Sequence, residues 1–167
     1  MSLSASEINP IGNALVMIPT YNERENAAPL CDGLLKLGIP FDILFVDDNS
    51  PDGTGLLLDE LTRAHANVHV LHREQKQGIG SADVAGIDWA YAHGYELLLT
   101  MDCDFTHPPE TVAEAFRGLK AEDDVYVGSR YLRANSLPGW AATRRILTVA
   151  GHAATNHLLG MPYDATG

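Results

Sequence analysis

Cysteine is scarce in this 167-residue chain. Cys31 and Cys103 are its only two, too few and too differently placed for a disulfide framework or a zinc site, so reduced, buried thiols and a cytosolic setting are expected. The start, MSLSASEINPIG, lacks the basic-then-apolar order of a secretory signal, and residues 1–12 read as tag-derived or flexible. Near the other end, the charge-free tract from Ile146 to Met161 is interrupted by His152, Asn156 and His157. It falls short of the ~20 apolar residues a spanning helix needs. Repeats and low-complexity linkers are missing. So are two familiar glycine loops: Gly78-Ile79-Gly80 has Asp83 where a dinucleotide fingerprint needs a third glycine, and no glycine-rich loop ends in Lys-Ser or Lys-Thr.

Basic residues are scarce as well, and unevenly so. Residues 1–124 hold 7 basic and 21 acidic side chains, a net −14, whereas residues 125–167 hold four arginines and only Asp164, a net +3. Such an acidic chain is a poor candidate for nonspecific nucleic-acid binding, which depends on neutralising phosphates. Arg130, Arg133, Arg144 and Arg145 nevertheless stand in an acid-free stretch from Val125 to Tyr163. That local cluster suits a small phosphorylated ligand, although any one arginine taken singly reads better as solvated surface.

What is present is an alternation of two periodicities. Apolar runs at Ala14–Ile18, Phe41–Val46, Val68–Leu71, Leu97–Met101 and Val125–Val127 are short and continuous, as in strands covered on both faces. Helical patterns fill the gaps. The first is capped at Asn26, has Pro29 in its first turn and stops at Gly38. A second opens at Ser50-Pro51 or Asp52, and a third starts near Gly80 with Ala82, Ala85, Gly86, Trp89 and Ala90 on one face. A fourth follows Pro108-Pro109. One compact domain is the reading for this length, able to bury roughly 70% of its unfolded surface. The β-α alternation predicts a mostly parallel, doubly wound α/β sheet with helices on both faces, whose ligands gather at the carboxyl ends of the strands.

Those ends carry the unusual residues: Pro19-Thr20-Tyr21-Asn22-Glu23, Asp47-Asp48-Asn49-Ser50 and Asp102-Cys103-Asp104. In extended chain, residues i and i+2 point to one side, so Asp102 and Asp104 can face a common point. Two hard oxygen donors held that way suit Mg²⁺ or Mn²⁺ completed by substrate phosphates. An isolated pair of this kind also reads as a strand end followed by a helix cap. Its weight comes from the other two strand ends.

Seven segments in register then carry a resemblance: IPTYNEREN (Ile18 to Asn26), VDDNSPDGT (Val46 to Thr54), HREQKQGIGSA (His72 to Ala82), MDCDFTHPP (Met101 to Pro109), VGSRY (Val127 to Tyr131), Trp140 to Arg144, and DATG (Asp164 to Gly167). From about residue 14 onward the chain resembles family 2 glycosyltransferases, particularly those acting on dolichyl and polyprenyl phosphates. The resemblance implies a GT-A, Rossmann-like fold and an inverting, metal-dependent transfer, most naturally of mannose from GDP-mannose to a polyprenyl phosphate. UDP-glucose or another nucleotide sugar with a different acceptor, or a binding fragment without turnover, are the alternatives. It further implies that Pro19, Tyr21, Glu23 and Asp48 line a base and ribose pocket, and that Arg73 and Lys76 form a basic loop brought close by Gly78 and Gly80. Asp102 and Asp104 would hold the metal, and Arg130 and Arg144 would lie near donor and acceptor phosphates. Gln75 stands where the family commonly has Gly, and Cys103 where it has Ala. The chain stops at DATG, where family members continue, so the donor half is expected to be present and the acceptor half truncated. Contact with the cytoplasmic face of a membrane is expected on the same ground.

Overall fold

The computed structural model describes residues 12–120 together with Asp123 and His157. The chain divides into two compact units, Met1–Asp124 and Val125–Gly167, and the architecture below is that of the first. The strand expected at Val125–Val127, the four arginines from Arg130 to Arg145, the DATG end and residues 1–11 lie outside the described residues.

Four strands, β1 (Ala14–Thr20), β2 (Asp42–Asp47), β3 (Val68–His72) and β4 (Leu97–Thr100), alternate with α1 (Arg24–Leu35), α2 (Thr54–Ala64), α3 (Ile79–Ala92) and α4 (Glu110–Gly118). All neighbouring strands are parallel, in the order β3-β2-β1-β4. Chain direction across the sheet explains the layers. The path β1 to β2 to β3 runs one way and the step to β4 runs back past β1, so right-handed crossovers place α1 and α2 on one face and α3 on the other.

Side-chain burial follows this arrangement. Ala14, Val16 and Ile18 of β1 join Ile43 and Phe45 of β2 in a core with Leu30 and Leu34 of α1, Leu58 of α2, and Val112 and Phe116 of α4. The alternate residues Leu15, Met17, Leu44 and Val46 pack with Ala82 and Ala90 of α3. Because β1 and β2 are covered on both sides, their apolar runs are nearly unbroken, and each fully buried Leu or Ile contributes about 1.5–3 kcal/mol. On the α3 face the fit is close. A Cβ on Gly86 would lie 1.9 Å from Met17 Sδ, which is why that helix has small residues on its inner side.

Element ends differ from the sequence expectation in instructive ways. Helix α1 starts at Arg24, not after Asn26, because its first turn is capped from another loop: Glu23 N–H donates to Thr54 Oγ1 at 3.0 Å and Arg24 N–H to Asp52 Oδ2 at 3.2 Å. Pro29 therefore sits inside the helix and not in its first turn. Helix α2 starts at Thr54, later than expected, because Asp52 Oδ1 accepts from the Thr54 N–H at 2.9 Å while Gly53 turns the chain at φ 89°. Strand β1 continues through Pro19. Thr20 O accepts from Asp48 N–H on the β2 side, and Met17 O accepts from Met101 N–H on the β4 side, so by alternation the Pro19 nitrogen faces β4 beyond the last paired residue, Met17. A missing N–H costs nothing in the ladder there.

Candidate functional site

The strand order reverses between β1 and β4, and the crevice at such a point is where open α/β sheets bind ligands. Each strand bordering or approaching it is followed by a non-glycine residue in the left-handed region: Asn22 (φ 61°) after β1, Asn49 (φ 57°) after β2 and Phe105 (φ 60°) after β4. Asparagine tolerates this conformation and phenylalanine does so at a cost. Each puts a left-handed turn into the loop that follows its strand.

At the end of β2 the two acids part company. Asp47 is buried and braces the loops: Ser50 Oγ donates to its Oδ1 at 2.6 Å and in turn accepts from Asn22 N–H at 2.9 Å. Asp48, 5% exposed, turns to the crevice. One of its oxygens is gripped by Arg73 Nη1 and the other accepts from Gln77 N–H at 3.4 Å. Arg73 also donates through Nη2 to Ser81 Oγ and to Gln77 Oε1. Asn49 Nδ2 donates to Glu74 O at 2.9 Å, which ties the 73–78 segment to the same strand end.

Past the end of β4 at Thr100 the chain bends at Cys103 and Asp104, yet burial still alternates. Met101 and Cys103 are buried, whereas Asp102 and Asp104 are exposed. Burial, then the charges of Glu23, Asp104 and Asp102, push the Cys103 thiol up to about 12, so it stays protonated. Asp104 is held below the usual carboxylate range by hydrogen bonding from Thr106, whose N–H donates to Oδ1 at 2.9 Å, with His107 adding to the effect. On α3, the Asp83 carboxyl is pushed up by burial and by the neighbouring charge of Asp102.

These groups meet in a cavity of about 280 Å³ lined by Pro19, Thr20, Tyr21, Glu23, Asp48, Lys76, Gly78, Ile79, Ala82, Asp102, Cys103 and Asp104. The structure thus brings together eight of the residues singled out in the sequence. Arg73 stands behind the wall as the partner of Asp48. Gly80 does not line the cavity either; it is the second residue of α3, and a Cβ there would meet nothing within 4 Å. Gly78 turns at φ 89° with open space around it. Arg130 and Arg144 lie outside the described residues. Sequence reasoning gave no role to Ile79 or Ser81, and it missed that Lys76 Nζ rests 3.7 Å from the centroid of the Tyr21 ring. Neither the bracing of α1 by Asp52 and Thr54 nor the contact between Lys76 and Tyr21 left a trace in the local spacing.

This crevice lies at the switch point of a doubly wound sheet, the position where this architecture binds its ligands. The chain belongs to glycosyl transferase family 2, which matches residues 15–164. It is 42% identical over 156 residues to the polyprenol monophosphomannose synthase of Mycolicibacterium smegmatis, covering 92% of this chain and 58% of that protein. It is 39% identical over 148 residues to the undecaprenyl-phosphate mannosyltransferase of Micrococcus luteus, covering 88% and 60%. The chain therefore spans about three fifths of the length of these relatives. Among solved structures, a mannosyltransferase from Pyrobaculum calidifontis in complex with GDP-Man and Mn²⁺ superposes with a TM-score of 0.53 at 22% identity, over 65% of this chain and 34% of that one. This supports the GT-A fold.

Proposed function

We propose that the chain carries the donor-binding part of a metal-assisted glycosyltransferase that moves mannose from GDP-mannose to a dolichyl or polyprenyl phosphate, with inversion at the anomeric carbon. The observation that carries this reading is the convergence of Tyr21, Asp48 and Lys76 with Asp102 and Asp104 on one cavity. The names of the relatives supply the sugar and the acceptor class.

In this reading the Tyr21 ring and Pro19 offer flat surfaces to a base. Glu23 and Asp48 accept hydrogen bonds from base N–H groups or ribose hydroxyls, and the Arg73–Asp48 pair fixes the direction of the second acceptor. Gly78 keeps the basic segment near the ligand. Asp102 and Asp104 are suited to hold Mg²⁺ or Mn²⁺: both are exposed oxygen donors, the Cys103 thiol between them is buried and protonated, and Asp104 is biased toward its ionised form. Among the described residues no group of three or more His, Cys, Asp or Glu could hold a metal, so the remaining ligands would be phosphate oxygens and water. When bound, the ion would neutralise charge developing on the leaving diphosphate.

The acceptor needs no strong base in this chain, since a phosphate monoester is already anionic at neutral pH. Arg130 and Arg144 are assigned to donor and acceptor phosphates. We read the 167 residues as one domain working at the cytoplasmic face of a membrane; no helix of the described residues is long and apolar enough to cross one.

Calorimetric titration with GDP-mannose, GDP, UDP-glucose and UDP, each with and without Mn²⁺, tests the donor assignment. GDP-mannose should bind in a Mn²⁺-dependent way, and Asp102→Ala or Asp104→Ala should each abolish that binding with little change in melting temperature. Unchanged donor affinity in both variants would return the carboxylates to a purely structural role. Preference for the UDP series would replace mannose transfer by the alternative donor.

A further inference from the structure

Tyr21 and Lys76 both line the cavity, and they are in contact with each other. The Lys76 ammonium sits 3.7 Å from the ring centroid, on the surface where a base would have to stack. The cavity also contains Glu23, Asp48, Asp102 and Asp104, yet Lys76 is in none of the four ion pairs among the described residues. Among the described residues it is also the only basic side chain lining the cavity. Its segment is pinned at both ends: Arg73 N–H donates to Asp47 O at 2.8 Å and Asn49 Nδ2 to Glu74 O on one side, and Gln77 N–H to Asp48 Oδ2 on the other. The exposed Lys76 lies between these anchors on a long side chain, free to swing while the backbone stays in place.

We infer that Lys76 is a displaceable placeholder, resting on Tyr21 in the free protein and making base binding there conditional on the phosphates of the same ligand. A base stacking on Tyr21 removes the cation–π contact and sends the ammonium elsewhere. If the ligand carries a diphosphate, that anion receives the ammonium as a charge-assisted hydrogen-bond donor. If the ligand is a bare nucleoside, the contact is lost and nothing replaces it. The exchange therefore sets a preference for nucleoside diphosphate over nucleoside, beyond the one the metal supplies. This inference rests on the reading of the cavity as a nucleotide site.

The test compares guanosine with GDP, in Mn²⁺ throughout, on the wild type and on Lys76→Met, which keeps most of the stem and removes the charge. Guanosine should bind the variant about threefold more tightly, the equivalent of one exposed cation–π contact removed from competition. The preference for GDP over guanosine should fall about tenfold, the value of one charge-assisted contact. In a Tyr21→Leu background, Lys76→Met should leave guanosine binding unchanged, because no ring remains to be uncovered. Guanosine binding that is unaltered or weaker in Lys76→Met alone overturns the inference while the nucleotide reading stands. A wild type that binds neither GDP nor guanosine overturns both.

Discussion

The carboxyl ends of β2 and β4 both present a pair of aspartates to the same sheet edge, and the two pairs are treated in opposite ways. At β2 the pair is adjacent in sequence, so one acid points into the structure and the other to the crevice. Both are buried, one held by Ser50 and the other by Arg73 and Gln77. At β4 the pair is spaced by one, and both acids are exposed and line the crevice. The first end is finished by its own protein partners. The second has oxygen to spare, which is the condition for a ligand that arrives with a cation.

This contrast makes separable demands on stability and on binding. Asp48→Ala leaves the Arg73 guanidinium, whose side chain is only 11% exposed, without its counter-charge, and breaking such a buried pair costs about 3–5 kcal/mol. Asp102→Ala, at an exposed position, should cost less than about 1 kcal/mol. Urea unfolding of the two variants measures both, and equal losses would erase the distinction between a closed and an open end.

A smaller effect concerns protonation at the open end. Because Thr106 depresses the Asp104 pKa in the folded state, Asp104 contributes stability that is present above its unfolded value and is lost as pH falls through the folded value. Thr106→Val removes the side-chain part of that bias. The acid limb of Mn²⁺-dependent donor binding should then move to higher pH, while binding at pH ~7.5, well above the ordinary carboxylate range, stays unchanged. An unshifted acid limb, read by titrating across pH, would mean that Asp104 does not control it.

The smallest effect is expected at Phe105, which is 40% exposed and held at φ 60°. Phe105→Gly relieves the left-handed strain and adds chain entropy to the unfolded state, so the net change should lie between zero and about 1 kcal/mol of added stability. A loss of more than about 2 kcal/mol would exceed what an exposed strained residue explains and would make the open end as dependent on packing as the closed one.

Much of this was legible in the sequence, and for a reason that can be stated residue by residue. Leu15, Val16, Met17 and Ile18 are fully buried because β1 is covered on both faces, so the strand announces itself as an unbroken apolar run. Asp102 and Asp104 were legible as exposed acids at a strand end because they follow an apolar run and flank the buried Cys103. The start of α1 was not readable, since its capping groups Thr54 and Asp52 come from a loop about 30 positions away and capping signals are sought locally. Nor could spacing say that Arg73 would be spent on Asp48 while Lys76 rested on Tyr21. Two basic residues three apart in an irregular segment have no fixed relative direction, and only the anchors supplied by Asn49, Asp48 and Ser81 decide it.

Pro19 has an effect on the crevice quite apart from the ladder it leaves unbroken. Any other residue at that place would aim an amide hydrogen across the seam toward β4, a small positive pole of the kind that collects anions. Proline puts ring carbons there instead, so the β1 side of the cavity lacks a backbone donor at that position and favours the edge of an uncharged ring over phosphate oxygens. Under the proposed donor reading, a two-ended ligand would thereby be given a polarity, with its neutral end toward Pro19 and its charged end toward Asp102, Asp104 and the ion they would hold. The imino acid would then orient its guest by withholding a contact.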